Sequence, residues 1–180
     1  MFLCEDIYVT DSTEIMKCPI CRSHSLQEVS LDTGLFAQQC NQCFGHWISS
    51  EQYWEWLDYR EHEQRVAHKK PTIKLNTING KLPVSDNATA NFCADCSRLM
   101  TKAKVGRGLS FYLDRCSHCH GVWLDQNEWE NLKQMDLHHQ IHYMFSSAWQ
   151  FSVRKEKVVQ EKAIQDKSAQ QTGIPQRTYA

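Results

Sequence analysis

Four Cys-x-x-Cys pairs constrain this 180-residue chain more than any other feature: Cys18/Cys21 with Cys40/Cys43, and Cys93/Cys96 with Cys116/Cys119. The stretch between inner cysteines is 18 residues in the first set and 19 in the second, which is the spacing of a zinc ribbon. A Cys-x-x-Cys turn places two thiolates on one side of a tight loop. Two such turns joined by a hairpin form the tetrahedral four-sulfur shell that Zn²⁺ accepts. The pattern therefore predicts two Zn²⁺ per chain, one held by Cys18, Cys21, Cys40 and Cys43 and one by Cys93, Cys96, Cys116 and Cys119. Each site supplies on the order of 10 kcal/mol of folding free energy to a hairpin too small to have a core of its own.

A redox dithiol is normally a single Cys-x-x-Cys ahead of a helix, and iron–sulfur spacings are more compact or less symmetric. Neither fits two quartets at ribbon spacing as well as zinc does. His24, His118 and His120 lie near the cysteines, yet four sulfurs already close the shell. Cys4 stands outside both sets and reads as an incidental or buried thiol. No apolar run reaches signal-peptide length or the roughly 20 residues that span a bilayer. The expectation is a cytoplasmic protein with no membrane contact, where paired cysteines serve as metal ligands rather than disulfides.

Shifting the chain by 75 or 76 positions superposes more than cysteines: Gly45 falls on Gly121, Trp47 on Trp123, Ile48 on Leu124 and Tyr53 on Trp129. The chain is a duplicated unit. In each copy a hairpin lies between the pairs, Leu26 to Leu31 with Leu35 to Gln39, and Met100 to Val105 with Leu109 to Asp114. Ser49-x-x-Gln52 and Asp125-x-x-Glu128 have the form of capping boxes that start a helix after each second knuckle. The fold class is small α+β and metal-stabilised, two zinc ribbons each followed by an α-helix. The organisation predicted is an N-terminal segment (1–17), ribbon one with a helix to about Lys69 (18–70), a linker (71–92), ribbon two with a long helix (93–165) and a disordered tail (166–180). With a linker between them, the two zinc modules are expected to fold separately.

The second unit, from Cys93-Ala94-Asp95-Cys96 to Cys116-Ser117-His118-Cys119-His120-Gly121-Val122-Trp123-Leu124-Asp125 and Glu128, resembles the bacterial transcription-factor-IIB-type zinc-ribbon family. The resemblance implies that its four cysteines are zinc ligands. The first unit resembles a diverged copy, with His46, Ile48, Ser49 and Gln52 in place of Val122, Leu124, Asp125 and Glu128. By analogy with the family, nucleic-acid-binding or adaptor roles are implied. Trp47 and Trp123, four residues past their knuckles, are expected to cover the thiolates and fix helix against hairpin.

Two surfaces carry the functional expectations. Leu137, Ile141, Met144, Ala148 and Phe151 recur at spacings of four and three, an apolar stripe along the second helix suited to a protein partner or a second copy of the chain. From Cys93 to Cys119, five cations oppose two acids (5 − 2 = +3), against one cation and two acids from Cys18 to Cys43 (1 − 2 = −1). Lys102, Lys104, Arg107 and Arg115, with Phe111 and Tyr112, accordingly form a candidate single-stranded nucleic-acid surface. Overall net charge is only −1, so nothing beyond this local excess favours phosphate. The stripe is the more demanding pattern, and the preferred reading is a non-catalytic zinc adaptor or regulatory protein acting through its second helix. Nucleic-acid binding and a redox-sensing zinc–thiolate switch are the alternatives. No nucleophile–base pair, phosphate loop or cofactor fingerprint is present, and no enzyme is expected.

Overall fold

The computed structural model describes residues 16–24, 26–66, 81–84 and 89–171. Cys4, the predicted end of the first helix at Lys69 and Pro71, and the tail beyond Gln171 lie outside the described residues.

Each repeat folds as its turn chemistry predicts. Strands β1 (Leu26–Asp32) and β2 (Leu35–Cys40) form the first hairpin, β4 (Met100–Gly106) and β5 (Leu109–Cys116) the second. A third short strand follows each second knuckle, β3 (His46–Ile48) and β6 (Val122–Leu124). The repeats are not separate modules: β3 and β6 pair antiparallel, and one six-stranded sheet runs β1-β2-β3-β6-β5-β4. Trp47 sits directly opposite Trp123 at the centre of that seam, flanked by His46/Leu124 and Ile48/Val122.

Because side chains alternate across a strand, the seam divides its residues between two cores. Ile48, Val122 and Leu124 face the helices, in a cluster with Leu35, Phe111, Leu113 and Trp56 that draws on both repeats. Trp47 and Trp123 face the other way, among Cys18, Cys40, Cys93 and Cys116.

Helix α1 (Ser50–Val66) starts at the expected cap, with the Gln52 amide N–H donating to Ser49 Oγ at 3.2 Å. The second predicted helix is the main correction. It is broken into α2 (Glu128–Gln134), a 3₁₀ turn (His138–Gln140), α3 (Ile141–Met144) and α4 (Ser147–Gln171). The first break is a Schellman motif: Asp136 is left-handed at φ 54°, its N–H reaches Lys133 O at 3.1 Å, and the Leu137 N–H reaches Leu132 O at 2.8 Å. Those are the two bonds that close a helix C-terminus, with aspartate where glycine usually stands. α4 restarts at Ser146, whose Oγ accepts the Trp149 N–H at 3.2 Å.

These breaks fold the predicted partner stripe back onto its own chain. Leu137, Ile141 and Met144 are buried in the common core, and Trp149 and Val153 follow them inward, while Ala148 and Phe151 face solvent. The stretch assigned to a linker is docked where it is described. The Leu82 backbone exchanges two hydrogen bonds of 3.0 Å with the buried Asn131 amide, and Asn127 Nδ2 donates to Pro83 O at 2.8 Å. Residues 166–171, expected to be disordered, complete α4.

The helices also tie the repeats to each other. Tyr53 Oη on α1 donates to His138 O at 2.9 Å and accepts from the Ile141 N–H at 3.1 Å. Trp129 Nε1 on α2 donates to Leu31 O of the first hairpin at 3.1 Å, and Lys133 pairs with Asp32 at 3.3 Å.

Candidate metal centres

All four knuckles share one backbone geometry. The N–H of the residue after the second cysteine returns to the first cysteine's carbonyl: Arg22 to Cys18 at 3.0 Å, Phe44 to Cys40 at 2.9 Å, Ser97 to Cys93 at 3.1 Å and His120 to Cys116 at 3.1 Å. The first cysteine's N–H in turn donates one residue further on, to Ser23, Gly45, Arg98 and Gly121 O respectively. Such a reversal requires a left-handed residue, and Arg22, Phe44, Ser97 and His120 all have φ between 56° and 61°. A non-glycine residue there costs about 1–2 kcal/mol, and the same cost is borne four times.

The knuckles bring Cys18, Cys21, Cys40 and Cys43 together, and likewise Cys93, Cys96, Cys116 and Cys119, with each set of sulfurs within 4.8 Å of one another. None of the eight is in a disulfide. Cys18–Cys43, Cys93–Cys119 and Cys96–Cys116 Sγ pairs lie 3.5 Å apart. A tetrahedral zinc with Zn–S bonds of about 2.3 Å needs sulfur–sulfur edges of about 3.8 Å. The quartets fit that shell and are too open for a disulfide. Each quartet is thus able to bind one zinc ion.

Backbone amides prepare the thiolates. Cys21 N–H donates to Cys18 Sγ at 3.3 Å, Cys96 N–H to Cys93 Sγ at 3.4 Å, Gln42 N–H to Cys40 Sγ at 3.5 Å and His118 N–H to Cys116 Sγ at 3.4 Å. Burial pushes the Cys18 and Cys119 thiols up to about 11 and also raises Cys43 and Cys93. Burial acts upward on Cys40 and Cys116 too. Hydrogen bonds from the backbones of Cys43 and Gln42, and of Cys119 and His118, outweigh it and bring these two down to about 6 and about 7. One thiolate per quartet, at the same position in each repeat, is therefore ready for a cation near neutral pH.

Asp136, His138 and His139 form a third group of close ligand atoms, but its chemistry does not suit a cation. Arg60 Nη1 lies 2.6 Å from His138 Nε2. A guanidinium only donates, so Nε2 carries the lone pair and the ring proton sits on Nδ1, 3.9 Å from Asp136 Oδ1. Burial and then the Arg60 charge push His138 down to about 4.

The tryptophans occupy a place the sequence did not disclose. Each packs against the other repeat's knuckle. A Cβ on Gly45 would lie 2.3 Å from Trp123 Cζ2, and one on Gly121 would lie 2.2 Å from Trp47 Cζ2. The duplicated Gly-x-Trp is the trace of that crossed contact. Trp123 Nε1 donates to Asp125 Oδ1 at 2.8 Å. In the first repeat Ser49 stands at that position, bonded to Gln52 instead, and Trp47 Nε1 is buried with no partner among the described residues.

The predicted nucleic-acid residues do not form one surface. Lys102 pairs with the buried Asp114 at 2.8 Å, and Arg107 pairs with Glu156 and lies over Trp149. Arg115 lies over Phe145, 4.5 Å from its ring centroid, and Phe111 is in the core. Tyr112, with Lys104 5.9 Å from its ring centroid, remains on the outer face. No described helix is long and apolar enough to cross a membrane.

Residues 17–61 and 92–135 each match the model of the TFIIB-type zinc-ribbon family described as transcription factor zinc-finger. No curated protein and no solved structure matches the chain.

Proposed function

Because the chain is a tandem pair of transcription factor zinc-finger domains, we propose that it is a non-catalytic zinc-dependent adaptor that presents the outer half of α4 to a protein partner. The observation that carries this reading is where α4 leaves the core. Among the residues of α4 whose burial is described, Val153 is the last buried one, and every residue from 157 to 167 is exposed, with Val158, Val159 and Ile164 at 50%, 66% and 67%. A helix of this length in water gains little from propensity alone, and covering each of those side chains would contribute about 1.5–3 kcal/mol. The metal's role is structural, since four thiolates leave no open position for a reacting water. The family's description supports a transcription-related setting for the partner.

The test is a photo-reactive residue at the exposed Lys162 in the full chain, with cross-linked species identified from native extract. The Val158→Asp, Val159→Asp, Ile164→Asp triple variant should lose the cross-linked partner while keeping its zinc and its thermal midpoint, because all three side chains are at least half exposed. Unchanged cross-linking in the triple variant refutes the reading. Sedimentation of the pure protein separates a second copy from a different partner. Single-stranded nucleic acid is a second reading, supported by Lys104 beside Tyr112; it requires salt-sensitive binding that Lys104→Glu abolishes.

A further inference from the structure

We propose that the two metal sites are coupled through the crossed tryptophans, so that zinc in either quartet raises the affinity of the other. This holds whatever α4 contacts. The buried cysteines of both quartets, Cys18, Cys40, Cys93 and Cys116, share one apolar cluster with Trp47 and Trp123, each 1% exposed. Gly45 belongs to the first quartet's knuckle, where its carbonyl accepts the Cys40 N–H at 2.9 Å, and the ring pressed on it is Trp123 of the second repeat. Gly121 accepts the Cys116 N–H at 3.0 Å, and the ring pressed on it is Trp47 of the first. Each tryptophan is a positioning residue for the opposite metal site. Directly between the knuckles, the Lys17 N–H donates to Ala94 O at 3.3 Å.

The coupling follows from what metal binding does to a ribbon. Closing one quartet fixes its knuckles and the strand that carries its tryptophan, and that strand pairs with the other repeat at the seam. The second quartet then closes against a surface already in place, and the ordering cost of the seam is met once rather than twice. Linkage requires the effect to be reciprocal.

Native mass spectrometry of the reduced, metal-free full chain during zinc titration tests this directly. Independent sites of equal affinity put half of the molecules in the one-zinc state at half saturation, and unequal sites put more there. Tenfold coupling lowers that fraction to about one quarter. A one-zinc fraction of half or more, with cysteine alkylation showing the two quartets equally filled in that state, overturns the proposal. Gly45→Ala then tests the route, because Gly45 is not left-handed and Trp123 is the closest obstacle to a side chain there. With a competing chelator present, alkylation of Cys93, Cys96, Cys116 and Cys119 in the opposite repeat should become severalfold faster. In a Trp123→Phe background the same glycine change should add much less. Faster alkylation confined to Cys18, Cys21, Cys40 and Cys43 would show that the tryptophan contact does not carry the coupling.

Discussion

Tyr53→Phe isolates one inter-repeat tie. The Tyr53 hydroxyl donates to His138 O at 2.9 Å and accepts from the Ile141 N–H at 3.1 Å. The residue is 2% exposed. Removing its oxygen leaves the ring in place, so little cavity opens and little apolar burial is lost. Both backbone groups are left in a site that water does not reach, and an unsatisfied buried group costs about 1–3 kcal/mol. The expected loss is therefore about 2–4 kcal/mol, more than the roughly 1 kcal/mol of a typical exchanged hydrogen bond. For a domain of this size that lowers the thermal midpoint by about 4–16 °C. Denaturant unfolding of the zinc-loaded protein at pH 7.5, wild type against variant, gives the value. A loss below about 0.5 kcal/mol would mean that the 3₁₀ turn and α3 are not held by α1, and the account of how helices tie the repeats would fail.

Further outcomes follow from other contacts. Gly106→Ala meets two obstacles, a φ of +70° and Val153 Cγ2 at 2.5 Å from the new Cβ; a loss of about 2–4 kcal/mol is expected, and adding Val153→Ala should restore only the steric part. Burial holds His138 at about 4, below the ordinary 6.5, so the unfolded chain takes up its proton first. That stability contribution is complete above pH 6.5 and is lost as pH falls toward 4. About 1.4 kcal/mol is lost by pH 5.5, and His138→Gln should flatten the pH dependence by that amount in denaturant titrations. Protein purified without added metal should carry two zinc ions by elemental analysis. Stripping them with a chelator under reducing conditions should abolish the cooperative thermal transition, because the cysteine–tryptophan cluster has no other cross-link; a retained transition would refute a structural role for the metal.

The parts of this molecule that were legible in sequence are those with local rules. The knuckles, both hairpins and the Ser49 cap are set by spacing, turn glycines and a short polar side chain, and the structure has them where those rules put them. The helix after the second ribbon departs from its apolar spacing because its first stop signal is unconventional. Asp136 closes a Schellman motif that is usually marked by glycine, so an unbroken spacing from Leu137 to Phe151 read as one outward stripe. Ser146 ahead of Trp149 was a readable restart. The cationic residues are dispersed for a different reason. Charge counts carry no information on pairing, and the partners of Lys102 and Arg107 are Asp114 across the hairpin and Glu156 on α4. The joining of the two repeats was the least visible of all. The duplicated Gly45/Gly121 and Trp47/Trp123 marked the residues, but which tryptophan meets which glycine depends on a strand pairing made across more than seventy residues of chain.

The seam has the symmetry of an isologous homodimer, with one residue type facing its own counterpart across an antiparallel strand pair. Enclosing such a dimer in a single polypeptide makes its assembly independent of protein concentration. It also releases the two halves from identity. In a true homodimer every substitution appears twice at the interface, whereas here one half can lose a feature that the other retains. Ser49 in place of Asp125 is an instance: the indole hydrogen bond is present on one side of the seam and absent from the other among the described residues. A duplicated chain of this kind can drift on one side while its twin preserves the architecture.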